Sequence, residues 1–298
     1  MTAMMHEINN YALSVLVDEQ GGEVKSLKDR SGREYIWQGH PESWGGYSPV
    51  LFPICGSLRN NRALLANGKT ADLNRHGFAR KMMYQCEFAN EGKAQFQLAS
   101  NEDTLAAYPY PFTLTIQYEL AGNSLKTIYQ VKNNGTEAMP FFIGGHPGFN
   151  CPLNADETFA DYVIEFEHEE TLDTPKAVTE TGLLDMSDRR KISSKTKELP
   201  LSHELFEQDA LTLDHLHSRR VKLCNRERTS GVELEFRDFP YLILWSANQK
   251  DFIALEPWSG LSTCSDEGDR FEEKRNVMIL QPGEYRTYSY TITVLNML

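Results

Sequence analysis

Long apolar runs are missing from this 298-residue chain. The strongest, Tyr241-Leu242-Ile243-Leu244-Trp245, is far too short to span a bilayer. Positive charge is also in short supply: 30 Lys and Arg face 42 Asp and Glu, for a formal net charge of −12. With a mean hydropathy of −0.48, this predicts a soluble, acidic protein. A chain without a basic stripe is a poor partner for nucleic acid or an anionic membrane surface. A neutral sugar meets no such objection, whereas a phosphorylated ligand needs a local basic pocket to overcome the overall field. Cysteine is sparse and odd in number. Cys55, Cys86, Cys151, Cys224 and Cys264 show no metal-ligand or redox spacing, so reduced thiols in a cytoplasmic protein are the simplest reading. Residues 1–10 carry neither the basic cluster nor the apolar stretch of a secretory signal. Helical periodicity is scarce, with room for a turn or two only at 157–163 and 202–206. No internal repeat is visible.

What dominates instead is a period of two. Phe112, Leu114, Ile116, Tyr118 and Leu120 alternate with polar residues up to Gly122-Asn123. Beyond that turn Leu125, Thr127, Tyr129 and Val131 alternate again, and Asn133-Asn134-Gly135 closes the run. This is a β-hairpin with one buried and one wetter face. The pattern returns at Tyr288, Tyr290, Ile292 and Val294. Shorter strand candidates lie at 12–17, 95–98, 162–166, 232–236, 241–245 and 252–255. The most polar stretch, 176–197, reads as a long surface excursion and not as a boundary. The expected fold is all-β, a large antiparallel β-sandwich built as a single domain over residues 1–298.

Three segments depart from routine strand or turn: Arg75-His76-Gly77-Phe78-Ala79-Arg80, Gly144-Gly145-His146-Pro147-Gly148-Phe149-Asn150, and Leu255-Glu256-Pro257-Trp258-Ser259-Gly260. Each sets a His or Glu beside Gly or Pro, where the backbone comes close to a ligand and side chains are held in fixed positions. A His flanked by Gly also arises simply to satisfy a turn carbonyl. A Glu ending an apolar strand before Pro-Trp is harder to explain structurally, because a carboxylate is seldom buried without a partner. Two other motifs carry less. Asp266-Glu267-Gly268-Asp269 lacks the ligand spacing of an EF-hand and reads as a solvated acidic loop. His215-Leu216-His217 has no evident third ligand.

Taken in order, Pro49-Val50-Leu51-Phe52-Pro53 with Arg59, His76-Gly77-Phe78-Ala79-Arg80, His146-Pro147-Gly148-Phe149-Asn150, Asp209-Ala210-Leu211 and Glu256-Pro257-Trp258 resemble the aldose 1-epimerase (galactose mutarotase-like) superfamily, and within it the LacX-like branch. The likeness runs from about Leu13 to Val294. It implies a sandwich with the active site in a cleft on one concave face. It implies Glu256 as catalytic base and His146 as catalytic acid, with His76, Arg59 and Asp209 holding sugar hydroxyls. The sequences around the two histidines depart from the core galactose mutarotases, which leaves the sugar open.

The chemistry fits those residue types. Interconverting anomers opens a cyclic hemiacetal, rotates the first carbon–carbon bond and closes the ring on the other face. A carboxylate taking the anomeric proton and an imidazole supplying the ring oxygen, expected on opposite sides of the bond, are each worth roughly 10²–10⁴-fold. Histidine suits the acid, since its ordinary pKa lies near neutrality. His76 and Arg59 are the expected sources of positive charge holding Glu256 ionised. No cofactor is required: neither metal, nucleotide nor nicotinamide enters such a reaction, and a glycine-rich phosphate loop is absent from the sequence. Trp245, Trp258, Phe149 and Tyr241 are candidates for an aromatic platform under the sugar's C–H face. Three alternatives stay open. Arg80 with Arg59 could clamp the phosphate of a hexose 6-phosphate. The cleft could bind carbohydrate without turnover. Asp209 with Glu256 could form the carboxylate pair of a glycoside hydrolase.

Overall fold

The computed structural model describes residues 3–247 and 250–295. Its largest element is a nine-stranded antiparallel sheet in the order Leu183–Pro200, Tyr162–Val178, Arg220–Asn225, Gly231–Glu235, Tyr285–Leu295, Ser124–Asn133, Phe112–Ala121, Lys93–Ala99 and Gln85–Asn90. The hairpin read from the sequence lies in its interior, beside the central strand Tyr285–Leu295. Leu125 pairs with Leu120 and Tyr129 with Ile116 across the turn at Gly122, which takes the positive φ (+59°) a tight hairpin loop asks of its first residue. Phe112, Leu114, Ile116, Tyr118, Tyr290 and Ile292 point into the core, the half-buried arrangement their alternation demands.

A six-stranded antiparallel sheet packs on this one. Its order is Leu211–Leu213, Tyr241–Trp245, Phe252–Trp258, Gly144–Gly145 and Val50–Leu51, and Gly148–Asn150 also pairs with Phe252–Trp258. Phe52 meets Phe112 across the layer, ring centroids 4.9 Å apart. A Cβ on Gly145 would come within 2.7 Å of the Tyr290 ring, so the two layers approach too closely there for any side chain. A three-stranded sheet, Met5–Asn9, Leu13–Asp18 and Glu23–Asp29, completes the main layers. The antiparallel β-sandwich expected from the period-two pattern is what the chain forms.

The surface excursion read at 176–197 lies at the surface but is regular: residues 176–178 and 183–197 are strand. Leu183–Pro200 is a strand, paired along Tyr162–Val178 into a long ribbon at the sheet edge. Exposure on both sides removes the alternation by which strands are recognised, and four register shifts along the ribbon interrupt what remains. Its end folds back, with the Leu184 N–H donating to the Thr263 carbonyl at 3.2 Å. The suspected helical stretches shrink to single 3-10 turns, Phe159–Asp161 and His203–Phe206. No helix among the described residues is long and apolar enough to cross a membrane.

Candidate active site

The central strand of the six-stranded sheet, Phe252–Trp258, is buried along its whole length. Side chains two apart share a face, so Phe252, Glu256 and Trp258 project from the side opposite Ile253 and Leu255. Register carries the same face onto the neighbouring strand, where Ile243 lies opposite Glu256 and Trp245 opposite Ala254. Of these, Ile243, Trp245, Glu256 and Trp258 floor a cavity of about 210 Å³, completed by Trp44, Arg75, His76, Arg80, His146 and Asp209. At ~30 Å³ per water it has room for about seven waters. That suits one small polar ligand.

Glu256 is 1% exposed and His146 is 6% exposed. His146 Nε2 lies 3.2 Å from Glu256 Oε2, and the same oxygen accepts a hydrogen bond from Trp258 Nε1 at 3.2 Å. Burial pushes the Glu256 carboxyl well above its ordinary 4.5, with the nearby Arg75 charge opposing the rise and Arg80 adding to that opposition. Burial pulls His146 down to about 3. Both shifts favour uncharged groups, so the pair holds a single proton between them. The two groups stand side by side, not on opposite sides of a gap. The reason is register: Gly144 pairs with Trp258, which delivers His146 beside the strand position of Glu256.

His76 reaches the cavity by a tight turn. Both His76 and Gly77 adopt positive φ, 67° and 68°, and a Cβ on Gly77 would lie 2.2 Å from the Phe52 carbonyl oxygen. Only glycine fits there. The Gly56 N–H donates to His76 Nδ1 at 3.1 Å, which assigns the ring proton to Nε2. Burial, followed by the charges of His146 and the two arginines, holds the His76 pKa well below 6.5. This histidine is a neutral donor. Asp209, also at positive φ (76°), turns one oxygen back to the Ala210 N–H at 2.8 Å.

Five of the six polar residues singled out in the sequence therefore surround one cavity: Glu256, His146, His76, Asp209 and Arg80. Arg59 does not. Its guanidinium is tied to the Asp269 carboxylate and the Glu267 carbonyl, which corrects its place among the binding residues. Arg75 stands at the cavity instead. Neither Arg75 nor Arg80 has a carboxylate within ion-pair distance among the described residues, and Arg80 Nε has no hydrogen-bond partner. Of the aromatic candidates, Trp245 and Trp258 line the cavity. Phe149 is core, and Tyr241 is buried with its hydroxyl engaged by Asn276. Trp44 has no motif to mark it and went unrecognised. Arg75 was within reach, as it directly precedes His76. The acidic loop at 266–269 is consumed by pairs with Arg275, Lys274 and Arg59. No group of three or more His, Cys, Asp or Glu suited to a metal ion occurs among the described residues.

The aldose 1-epimerase family matches this chain over residues 4–293. Two LacX proteins of Lactococcus lactis, one encoded on a plasmid and one on the chromosome, are each 46% identical over 299 residues, covering 98% of this chain and 100% of their own. The galactose mutarotase related enzyme of Lactobacillus acidophilus superposes with a TM-score of 0.91 at 32% identity, covering 98% of this chain and 97% of that one. A galactose mutarotase-like protein of Lactobacillus casei gives 0.89 at 28%, covering 98% and 100%.

Proposed function

Because the chain belongs to the aldose 1-epimerase family, we propose that it interconverts the α and β anomers of a hexose, with Glu256 as base and His146 as acid. The observation that carries this reading is the 3.2 Å contact between an imidazole and a carboxylate at the floor of a cavity sized for one small polar molecule.

The two oxygens that exchange protons in mutarotation, the anomeric hydroxyl and the ring oxygen, are bonded to the same carbon. Neighbouring acid and base groups match that geometry. With the pair's single proton on His146, Glu256 takes the hydroxyl proton and the carbonyl forms as the C1–O5 bond breaks. The electron pair leaves on O5, which receives the His146 proton. Rotation about C1–C2 and the reverse transfers close the ring on the other face, returning both groups to their starting state. The charges of Arg75 and Arg80 favour ionised Glu256 and take over the part expected of Arg59. His76 offers its Nε2–H to a sugar oxygen, and Trp245 and Trp258 offer apolar surface. The five cysteines, all unpaired, suit a reducing cytoplasm.

One observation favours a second substrate class. Arg75 and Arg80 both line the cavity without carboxylate partners, and two guanidinium forks on one side are suited to a phosphate. A hexose 6-phosphate would use them. Saturation-transfer NMR of anomer exchange, run on glucose, galactose and their 6-phosphates with and without protein, tests both. Faster exchange of a free sugar supports the first reading; faster exchange of phosphate esters alone supports the second. Binding without faster exchange overturns both in favour of a carbohydrate-binding protein.

A further inference from the structure

The imidazole proposed as acid lacks the usual means of being held. A working histidine normally fixes its ring through a hydrogen bond at the nitrogen not engaged in chemistry. His146 Nδ1 is buried and has no hydrogen-bond partner among the described residues. Three rings surround it instead. Trp44 lies against it almost parallel, with centroids 4.7 Å apart and planes at 26°. Trp245 and His76 meet it edge-on at 5.8 Å and 5.7 Å.

Trp44 is itself part of a ladder. It stacks on Phe252 at 5.4 Å and 19°, and Phe252 stacks on Trp37 at 4.7 Å and 25°. The ladder closes on itself, because Trp37 Nε1 donates to the Trp44 carbonyl at 2.8 Å. Phe252 belongs to the strand that carries Glu256, so the rings key the imidazole to the same element as the carboxylate. Trp44 comes from an irregular segment, residues 37–47, and no strand register places it. The backbone makes room for it: a Cβ on Gly148 would lie 2.5 Å from Trp44 Cζ3.

From this geometry we propose that Trp44 is a positioning residue for His146: stacking fixes the plane of the imidazole where a hydrogen bond to Nδ1 would ordinarily do so, and so keeps Nε2 on the Glu256 carboxyl, the contact that sets the tautomer. The proposal rests on the reading of His146 as acid, yet its principal test does not depend on turnover. Protein labelled with ¹⁵N-histidine reports the tautomer of each ring, and the signal missing from His146→Asn assigns His146. Wild type and Trp44→Phe are expected to show one tautomer, and Trp44→Leu a mixture. In the anomer-exchange assay Trp44→Leu should lower kcat by about 10–100-fold, the cost of an acid held loosely, with KM little changed. Trp44→Phe should restore most of the rate, and Trp44→Leu should cost nothing further in His146→Asn. A single tautomer in Trp44→Leu with unchanged kcat overturns the proposal. So does a loss of rate that persists in His146→Asn, which would make Trp44 a direct sugar contact. An inactive wild type refutes the proposed reaction alone and leaves the nitrogen shifts to decide the role of Trp44.

Discussion

His146 Nε2 and Glu256 Oε2 face each other at 3.2 Å, both buried, in a cavity that Trp258, Arg75 and Arg80 also line. A strand contributes the carboxylate and the turn between two short strands contributes the imidazole. Their proximity is set by backbone pairing, since Gly144 lies opposite Trp258.

Removing either group should therefore abolish turnover without dismantling the cavity. Glu256→Gln keeps the shape and the bond from Trp258, and His146→Asn keeps a polar group near the carboxyl. Each is expected to lower kcat by about 10²–10⁴-fold while sugar binding, measured by calorimetry or ligand-observed NMR, changes little. Retention of most activity in either variant would remove that residue from the mechanism.

The pair should also leave its mark on the pH profile. The proposed reaction needs one proton on the pair, so its acid limb is expected where a second proton is added. That proton goes to His146, whose pKa burial lowers to about 3. The alkaline limb appears where Glu256 loses the last proton, well above 4.5. These values belong to the pair and not to either group. The expected profile of kcat/KM is flat through pH 4.5 and falls only nearer 3. An acid limb at or above 4.5 would mean that the carboxyl titrates alone.

Much of this arrangement was legible in the sequence because it rests on period two and on glycines with no freedom to be anything else. Phe252, Glu256 and Trp258 announce a shared face by spacing alone, and Gly77 and Gly145 mark places where a Cβ has no room. The ribbon at 183–200 was not legible, because a strand exposed on both sides has no reason to alternate. Trp44 was invisible for a different reason. It reaches the site from an irregular segment through ring stacking, and no local pattern encodes a contact made 102 residues away at His146. Arg59 was drawn into the site by its place in a motif, while the Asp269 carboxylate that holds it elsewhere lies 210 positions along the chain.

That displacement gives a direct comparison of arginines. Arg59→Ala breaks a half-exposed pair with Asp269, which at a solvated site is worth roughly 0–1 kcal/mol. Its kcat and KM should match the wild type. Arg75→Ala and Arg80→Ala remove charge that favours ionised Glu256, so both should slow exchange of a free hexose. If the substrate is a 6-phosphate, the same two changes should in addition raise KM at least 10-fold, the loss of roughly 1.5–3 kcal/mol for a charged hydrogen bond. A defect in Arg59→Ala larger than in Arg75→Ala would place the binding arginine outside the cavity described.

The proposed base, Glu256, should also carry a measurable stability cost. A carboxyl whose pKa is raised in the folded state contributes its stability below the unfolded value of 4.5 and loses it as pH rises. At pH 7 the unfolded chain ionises Glu256 freely, whereas the folded chain must either hold the proton or bury the charge. Glu256→Gln relieves that cost and keeps the amide within reach of the same partners. The variant should unfold at a higher urea concentration than the wild type at pH 7, and the difference should shrink towards zero as pH falls to 4.5 and below. A protein that gains stability by losing its base is trading one for the other at a single residue. Urea titrations of both proteins at pH 4 and pH 7 decide it. Equal midpoints at pH 7 would mean that Arg75 and Arg80 already compensate the buried charge in full, and the raised pKa assigned to Glu256 would be wrong.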